Sequence, residues 1–372
     1  NIGLLPRGLV ARQIENIAAC KPRVIGIDSF FNCPGGATDS LSCPELYDTA
    51  AYNSFARAIK KAGNVVMVTK LLQTDSLIRR LGDVSIYDSL EHTDEKLREG
   101  SIEGYASLET EAADQEDLKS CRRFNPTVSV NGTDHFAFSV QMARIYDSTK
   151  VNKLLARNNF SEIINYRGNI MDWHGASSYA GRYMVLDVEQ ALDTSQFVPS
   201  MLKDKVVIMG FLGEDLMDTS WDDKFFTPLN KIYAGKSRPD MYGVVVHANI
   251  VSMILNEDYI DELAQWQEFS IAFIVTFLNM ALFFWINRKL PLWYDALSLT
   301  AQLAQVVLFS FLMISFMAWF DFKLNITITL AAAALVGTCF ELYNSVIKAI
   351  ISFLAELGFP RIPPLTNEKE RV

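Results

Sequence analysis

Asp28, the pair Gly210 and Gly213, the acids Glu214, Asp215, Asp218, Asp222 and Asp223, and His247 are the residues of this 372-residue chain whose types and spacing could do chemistry. The first, second and last of these groups each follow a short apolar run: Val24-Ile25-Gly26-Ile27 before Asp28, Val206 to Met209 before Gly210, and Val244-Val245-Val246 before His247. In open parallel sheets, ligands sit beyond the carboxyl ends of strands, where loops and helix N-termini converge, so these residues could share one rim pocket. Asp28, Asp223 and His247 could there surround a metal ion or a hydrolytic water. The plainer role of polar residues at strand ends is to cap helices and tie loops, and it carries more weight here. Gly210-x-x-Gly213 lacks a following Lys-Ser/Thr and runs into acids that would repel an anion, which argues against a phosphate loop. The chain has no GxSxG and only four His, which argues against a Ser hydrolase.

The elements that must position these residues are legible from periodicity. Val10, Ile14, Ile17 and Ala18 form a helical stripe that leads through Lys21-Pro22 into the apolar strand at Val24. Tyr52, Phe55 and Ile59 repeat the figure over residues 50–62, Gly63-Asn64 stops that helix, and Val65-Val66-Met67-Val68-Thr69 follows. Such alternation implies an α/β domain with a mainly parallel sheet covered on both faces. Residues 73–123 are charged and weakly periodic, and read as loops and small helices at a rim. Residues 128–146 read as a turn at Asn131-Gly132 plus a helix, Ile163 to Tyr166 and Lys205 to Gly210 as two more strands, and Val244 to Leu255 as an apolar run continuing into a helix.

From Phe269 the chain changes solvent. Residues 269–286, 296–320 and 324–340 are uncharged runs of 18, 25 and 17 residues. At about 1.5 Å per residue each can cross roughly 30 Å of hydrocarbon. Arg288-Lys289 follows the first run, the neutral Asp321-Phe322-Lys323 separates the other two, and Lys348, Arg361, Lys369 and Arg371 follow the third. This bias puts the C-terminus in the cytoplasm and residues 1–268 outside. Export of an outer domain of that size calls for an element before Asn1, either an upstream membrane segment or a cleaved signal. Asn279, Gln302 and Gln305 are expected to bond to neighbouring helices, and Glu341 to reach water at the inner end of its span. After a helical extension to residue 351, Pro360, Pro363 and Pro364 impose an extended tail over residues 352–372.

Residues 269–372 hold seven basic and six acidic side chains, so the formal charge of −9 leaves −10 on residues 1–268. That balance excludes nucleic acid as a natural partner. Cys33-Pro34-Gly35-Gly36 and Cys43-Pro44 bracket a turn-rich loop that reads as closed by a Cys33–Cys43 disulfide in an oxidising compartment. No CxxC pair supplies a metal site.

Several motifs, in order, resemble the CHASE type 2 domain, an extracytoplasmic sensory module of bacterial signalling proteins. They begin with Pro6-Arg7-Gly8-Leu9-Val10-Ala11, the strand Val24 to Phe31, and Ala62-Gly63-Asn64-Val65-Val66. Gly104-Tyr105-Ala106, Cys121-Arg122-Arg123-Phe124 and Ile164-Asn165-Tyr166-Arg167-Gly168 continue the likeness, followed by Leu202 to Gly210. Asp223-Lys224-Phe225-Phe226-Thr227-Pro228 is similar to the family's D-x-x-x-T-P, and Gly243 to Asn249 to its G-V-x-x-H-A-N. The resemblance adds Thr227 to the rim set. It implies an extracytoplasmic sensory domain over residues 1–268, followed by three membrane helices over residues 269–351 in a bacterial inner membrane.

Family members commonly continue into a kinase or cyclase, whereas only about thirty residues follow the third span here, too few for a catalytic domain. The expectation is therefore a non-enzymatic receptor or scaffold without cofactor or bound metal. Its partners would be membrane lipid, a separate membrane protein that converts the signal, a small-molecule ligand at the rim, and further copies of the chain. A structural subunit of an envelope complex and an extracytoplasmic metal-dependent hydrolase remain as alternatives.

Overall fold

The computed structural model describes residues 5–32, 48–75, 77, 79, 86–110, 120–170, 183–213, 220–232 and 237–356. Cys33 and Cys43, Glu214, Asp215 and Asp218, and the tail from residue 357 lie outside the described residues. The contacts divide the chain into a unit over Asn1–Tyr259 and a second over Ile260–Val372.

The first unit opens with α1 (Arg7–Ala19), β1 (Val24–Ile27), α2 (Thr49–Ala62) and β2 (Val65–Leu72). The Asp48 carboxylate accepts the Ala51 N–H at 2.9 Å to start α2, and Gly63 in the left-handed region ends it. β3 (Ser89–Glu91), α3 (Glu95–Arg98) and β4 (Ile102–Tyr105) follow. Residues 73–123 thus supply two strands of the main sheet and not loops and small helices alone. β5 (Arg123–Phe124), the hairpin β6 (Thr127–Val130) and β7 (Thr133–Phe136), α4 (Phe138–Tyr146), α5 (Ser148–Ala156) and β8 (Glu162–Ile163) come next. Asn131 and Gly132 turn the hairpin with φ of +50° and +79°, the backbone that an Asn-Gly turn adopts. The unit closes with α6 (Val188–Leu192), β9 (Val206–Met209), β10 (Lys224–Phe225), β11 (Met241–Tyr242) and α7 (Gly243–Asn256).

β1 pairs in parallel with β2 and β9, and β2 pairs in parallel with β4 along Val66–Thr69 and antiparallel with β3 along Lys70–Leu72. The β5–β8, β6–β7 and β10–β11 pairs are antiparallel. The expected parallel sheet therefore holds only at the centre, and the unit is a mixed α/β arrangement with small sheets. Side-chain alternation along the central strands explains the layers. Ile25, Ile27, Val65 and Met67 pack with Ile14, Phe55 and Ile59 of α1 and α2. Val24, Val66 and Val68 pack with Phe138 and Met142 of α4 and Val251 of α7. Both faces are buried, which is why these strands read as continuous apolar runs.

The second unit holds β12 (Asp261–Glu262), α8 (Gln265–Lys289), α9 (Tyr294–Phe320), β13 (Phe322–Lys323) and α10 (Thr327–Glu356). Its three helices are long and apolar enough to cross a membrane. The Asn279 and Gln305 amides exchange two hydrogen bonds, 2.9 and 2.6 Å, and join α8 to α9. Gln302 joins α9 to α10 by packing where a Cβ on Gly337 would sit, only 1.8 Å from its Nε2. β12 and β13 pair in parallel, the Asp261 N–H donating to the Asp321 carbonyl at 3.0 Å. The lead-in to the first span is thus fastened to the turn between the second and third.

Gly104 of β4 lies against the start of α4, where a Cβ would come within 2.7 and 2.9 Å of the Phe138 Cα and N. Backbone cannot yield as a side chain can, so Gly104→Ala is expected to cost about 3 kcal/mol. Gly8→Ala, which meets only the Ala51 Cβ at 3.6 Å, serves as the control and should be neutral or better. Thermal unfolding of both variants is the measurement, and equal midpoints would contradict the β4–α4 packing.

Candidate functional site

The N-terminal end of α7 is where three of the expected rim residues, Asp28, Gly210 and Asp223, come together. Gly243 to Asn256 contains three consecutive valines, which weaken helix propensity, yet nearly every residue of the helix is buried and packing outweighs propensity. His247 therefore lies in the second turn of the helix expected over this run, which begins at Gly243 and includes the three valines, and not beyond the end of a strand.

Three expected residues surround the first turn of α7. Asp223, at φ +53°, accepts the Gly243 N–H on its carbonyl at 2.9 Å, and its carboxylate oxygens would stand 2.9 and 3.3 Å from a Cβ on Gly243. A carboxylate in this place complements the positive end of the helix dipole. The β10–β11 pair holds it there, with Lys224 opposite Tyr242. On the other side Asp28 leaves β1 with its N–H donating to the Met209 carbonyl at 2.7 Å. A Cβ on Gly210 would lie 2.9 Å from the Val244 Cβ and 3.3 Å from the Asp28 Cβ, so only glycine lets α7 rest on the ends of β1 and β9. Gly213 follows with φ +96°, a backbone that L side chains rarely adopt. Burial pushes the Asp28 carboxyl up to about 7, while part of its surface still reaches water.

Thr227 and His247 go elsewhere. The Thr227 hydroxyl donates to Asp240 at 2.7 Å and its N–H donates to the same carboxylate at 2.8 Å. Asn230 Nδ2 adds a bond at 3.3 Å, and Asn169 Nδ2 donates to the Asp240 carbonyl at 2.5 Å. Burial pushes the Asp240 carboxyl up to about 6, against the opposing pull of these donors. His247 Nδ1 is 2.7 Å from Ser139 Oγ, and its ring meets Phe138 edge-on at 5.2 Å. Burial pushes its imidazole down to about 4, so it is neutral at pH 7. A Ser oxygen hydrogen-bonded to a His nitrogen has the spacing of a nucleophile and its base. Ser139 has no exposed surface and His247 only 3 %, so the pair serves as a strut between α4 and α7.

Two further buried residues carry structural weight that the rim argument missed. Asn249, fully buried, accepts the Arg167 and Gly168 N–H groups at 2.8 and 3.2 Å and donates to the Gly168 and Val245 carbonyls at 2.9 Å each. It clamps the Asn165-Tyr166-Arg167-Gly168 segment, which is not strand: the strand expected over Ile163 to Tyr166 is confined to Glu162–Ile163. Its place at the end of the G-V-x-x-H-A-N motif was the available signal. Asp240 has no motif and emerges only from the geometry. Among the described residues no group of three His, Cys, Asp or Glu could hold a metal ion.

Among the groups that burial shifts, Asp28 and Asp240 act in one direction and His247 in the other. Asp28, near 4 in the unfolded chain and about 7 in the fold, lowers stability progressively as pH rises through that interval. Complete burial would cost about 4 kcal/mol, and the water that Asp28 still reaches brings this to about 2 kcal/mol. Asp28→Asn is therefore expected to gain stability over the parent between pH 4 and 7. His247, near 6.5 unfolded and about 4 folded, lowers stability as pH falls between those values. His247→Ala should remove this acid-side slope while losing about 2 kcal/mol at neutral pH, because Ser139 is left without its partner. Unfolding midpoints measured at pH 4, 5.5, 7 and 8 check both slopes, and parallel profiles for parent and variants would contradict them.

The family model described as the CHASE2 domain matches residues 3–285, a span that contains every rim residue and runs into α8. Comparison with curated proteins and with solved structures found no match. With a match over more than half its length, and with the motifs built into the helix-end arrangement above, the chain belongs to the CHASE2 domain family.

Proposed function

We propose that this protein is a membrane-anchored extracytoplasmic receptor that binds or responds at the α7 rim and passes the change to a separate membrane partner. The observation that carries the reading is the position of α7 in the chain. Its first turn rests on Asp28 and Gly210 with Asp223 across its end, and its last residue, Asn256, is followed after a short stretch by Gln265 of α8. A receptor needs differential affinity between two conformations, which a few hydrogen bonds at such a helix end can supply. Asp28, Gly210, Gly213 and Asp223 are the residues that would meet a ligand, while Thr227 and His247 would set the rigidity of the elements behind them. Catalysis is not part of the reading, because the one nucleophile–base geometry described, Ser139 with His247, is sealed in the core.

The orientation places the first unit outside a bacterial inner membrane and the C-terminus in the cytoplasm, on the support of Arg288-Lys289. Cysteine labelling of intact cells should then reach a probe at Asp321 and miss one at Asn287, and the reverse pattern would overturn it. Against the receptor reading, the full chain in lipid nanodiscs would be assayed with phosphoester, glycoside and peptide substrates. No turnover sensitive to Ser139→Ala or His247→Ala is expected. Photocrosslinking from α9 in intact cells should capture a membrane protein whose yield changes in Asp28→Asn. Turnover abolished by Ser139→Ala would sink the proposal.

The alternative of a structural envelope subunit draws on α9, where Leu299, Leu303, Val307, Phe311 and Ile314 are all more than half exposed. Lipid covers such a face as well as a protein does, so the receptor reading is kept.

A further inference from the structure

β9 (Val206–Met209) is the last strand of the central sheet and, among the described residues, pairs with β1 alone. The Lys205 and Met209 carbonyls accept the Arg23 and Asp28 N–H groups at 2.9 and 2.7 Å, so the alternate residues 205, 207 and 209 turn their backbone towards β1. The N–H and C=O groups of Val206 and Ile208 therefore point away from the sheet. Among the described residues none bonds to them. Both residues keep part of their surface, whereas every residue of β1 is buried. Natural edges of this kind are blunted by a Pro, a bulge or a charge within the strand. Val206-Val207-Ile208-Met209 carries no Pro and no charge, and its register with β1 runs unbroken. A row of outward donors and acceptors on such residues is the template for one more strand.

We propose that β9 is the edge at which two copies of the chain join, strand against strand, in antiparallel register about Val207. That register sets Val206 opposite Ile208 of the second copy and Ile208 opposite its Val206. Each such pair exchanges N–H···O bonds both ways, so every outward group finds a partner. Lys205 then faces Met209 of the other copy, whereas a parallel register sets Lys205 beside Lys205. The faces of the sheet decide in the same sense. α4 and α7 cover one face, α1 and α2 the other. An antiparallel pair is related by a two-fold axis normal to the sheet, which keeps α7 of both copies on one face. The chain leaves the first unit at the end of α7, so both exits lie on that face, which suits anchorage in one bilayer. A parallel pair has its axis along the strands and puts the two α7 helices on opposite faces. A strand of four residues makes a small contact, and confinement of both copies to one membrane raises the effective concentration at which it pairs. The inference does not rest on the receptor reading, since a structural subunit would join by the same edge.

The test is disulfide crosslinking of the full chain in membranes, in a Cys339→Ser background, with Lys205→Cys, Val206→Cys, Val207→Cys and Ile208→Cys made one at a time. The antiparallel register brings position 207 opposite itself, at a Cα separation of about 4.5 Å that a disulfide can span, and sets every other position apart from its own copy. Val207→Cys should therefore give at least about tenfold more crosslinked dimer than any of the other three. Val206→Pro removes an outward N–H and none that faces β1, and should abolish the Val207→Cys link with the unfolding midpoint retained. Should Val206→Pro fail to fold, the position dependence decides. No Val207→Cys dimer above the Cys339→Ser background would overturn the proposal. Equal linking at all four positions, or a Val207→Cys adduct with a different protein, would overturn it as well.

Discussion

Double-sided burial of β1 and β2 is the constraint on which the rest of the first unit depends. A parallel pair of all-apolar strands leaves no face for water, so helices must cover both sides, α1 and α2 on one and α4 and α7 on the other. Once α7 is committed to that face, its first turn is brought against the ends of β1 and β9, and the glycine at position 210 sets how close it comes. The rim is thus a by-product of layer packing. Its polar residues are those that the chain can place where strands stop and the backbone turns outward.

The polar residues behind the rim have a different physics. Asn249, His247 and Asp240 are buried and bonded, and each unbonded group of this kind would cost about 1–3 kcal/mol. They stabilise by being fully satisfied and by excluding other arrangements of the loops they hold.

Much of this was legible in the sequence, and the exceptions have physical causes. β1, β2 and β9 announce themselves because both-face burial writes an unbroken apolar run. β4 does not, since Ile102-Glu103-Gly104-Tyr105 mixes a charge and a glycine, and becomes a strand through edge pairing with β2 and close contact with α4. The valines at 244–246 mimic a strand locally, and only tertiary burial makes them helical. Asp28, Gly210 and Asp223 were recoverable from the rule about strand ends. His247 entered with them, and Thr227 through the family likeness, because neither sequence order nor a motif distinguishes a polar side chain that faces water from one that turns inward. In the second unit, Asn279, Gln302 and Gln305 stood out as amides in apolar runs, and amides in hydrocarbon must find one another or a neighbouring helix.

The β12–β13 ribbon bears on biogenesis. Asp261 and Glu262 leave the ribosome well before Phe322 and Lys323, and α8 and α9 must carry the chain across the bilayer and back before the two can meet. Until then the backbone groups of β12 that later face β13 have no strand partner. Closure of the ribbon therefore marks the completed insertion of the helical hairpin, and from that moment the lead-in to α8 is tethered at both of its ends.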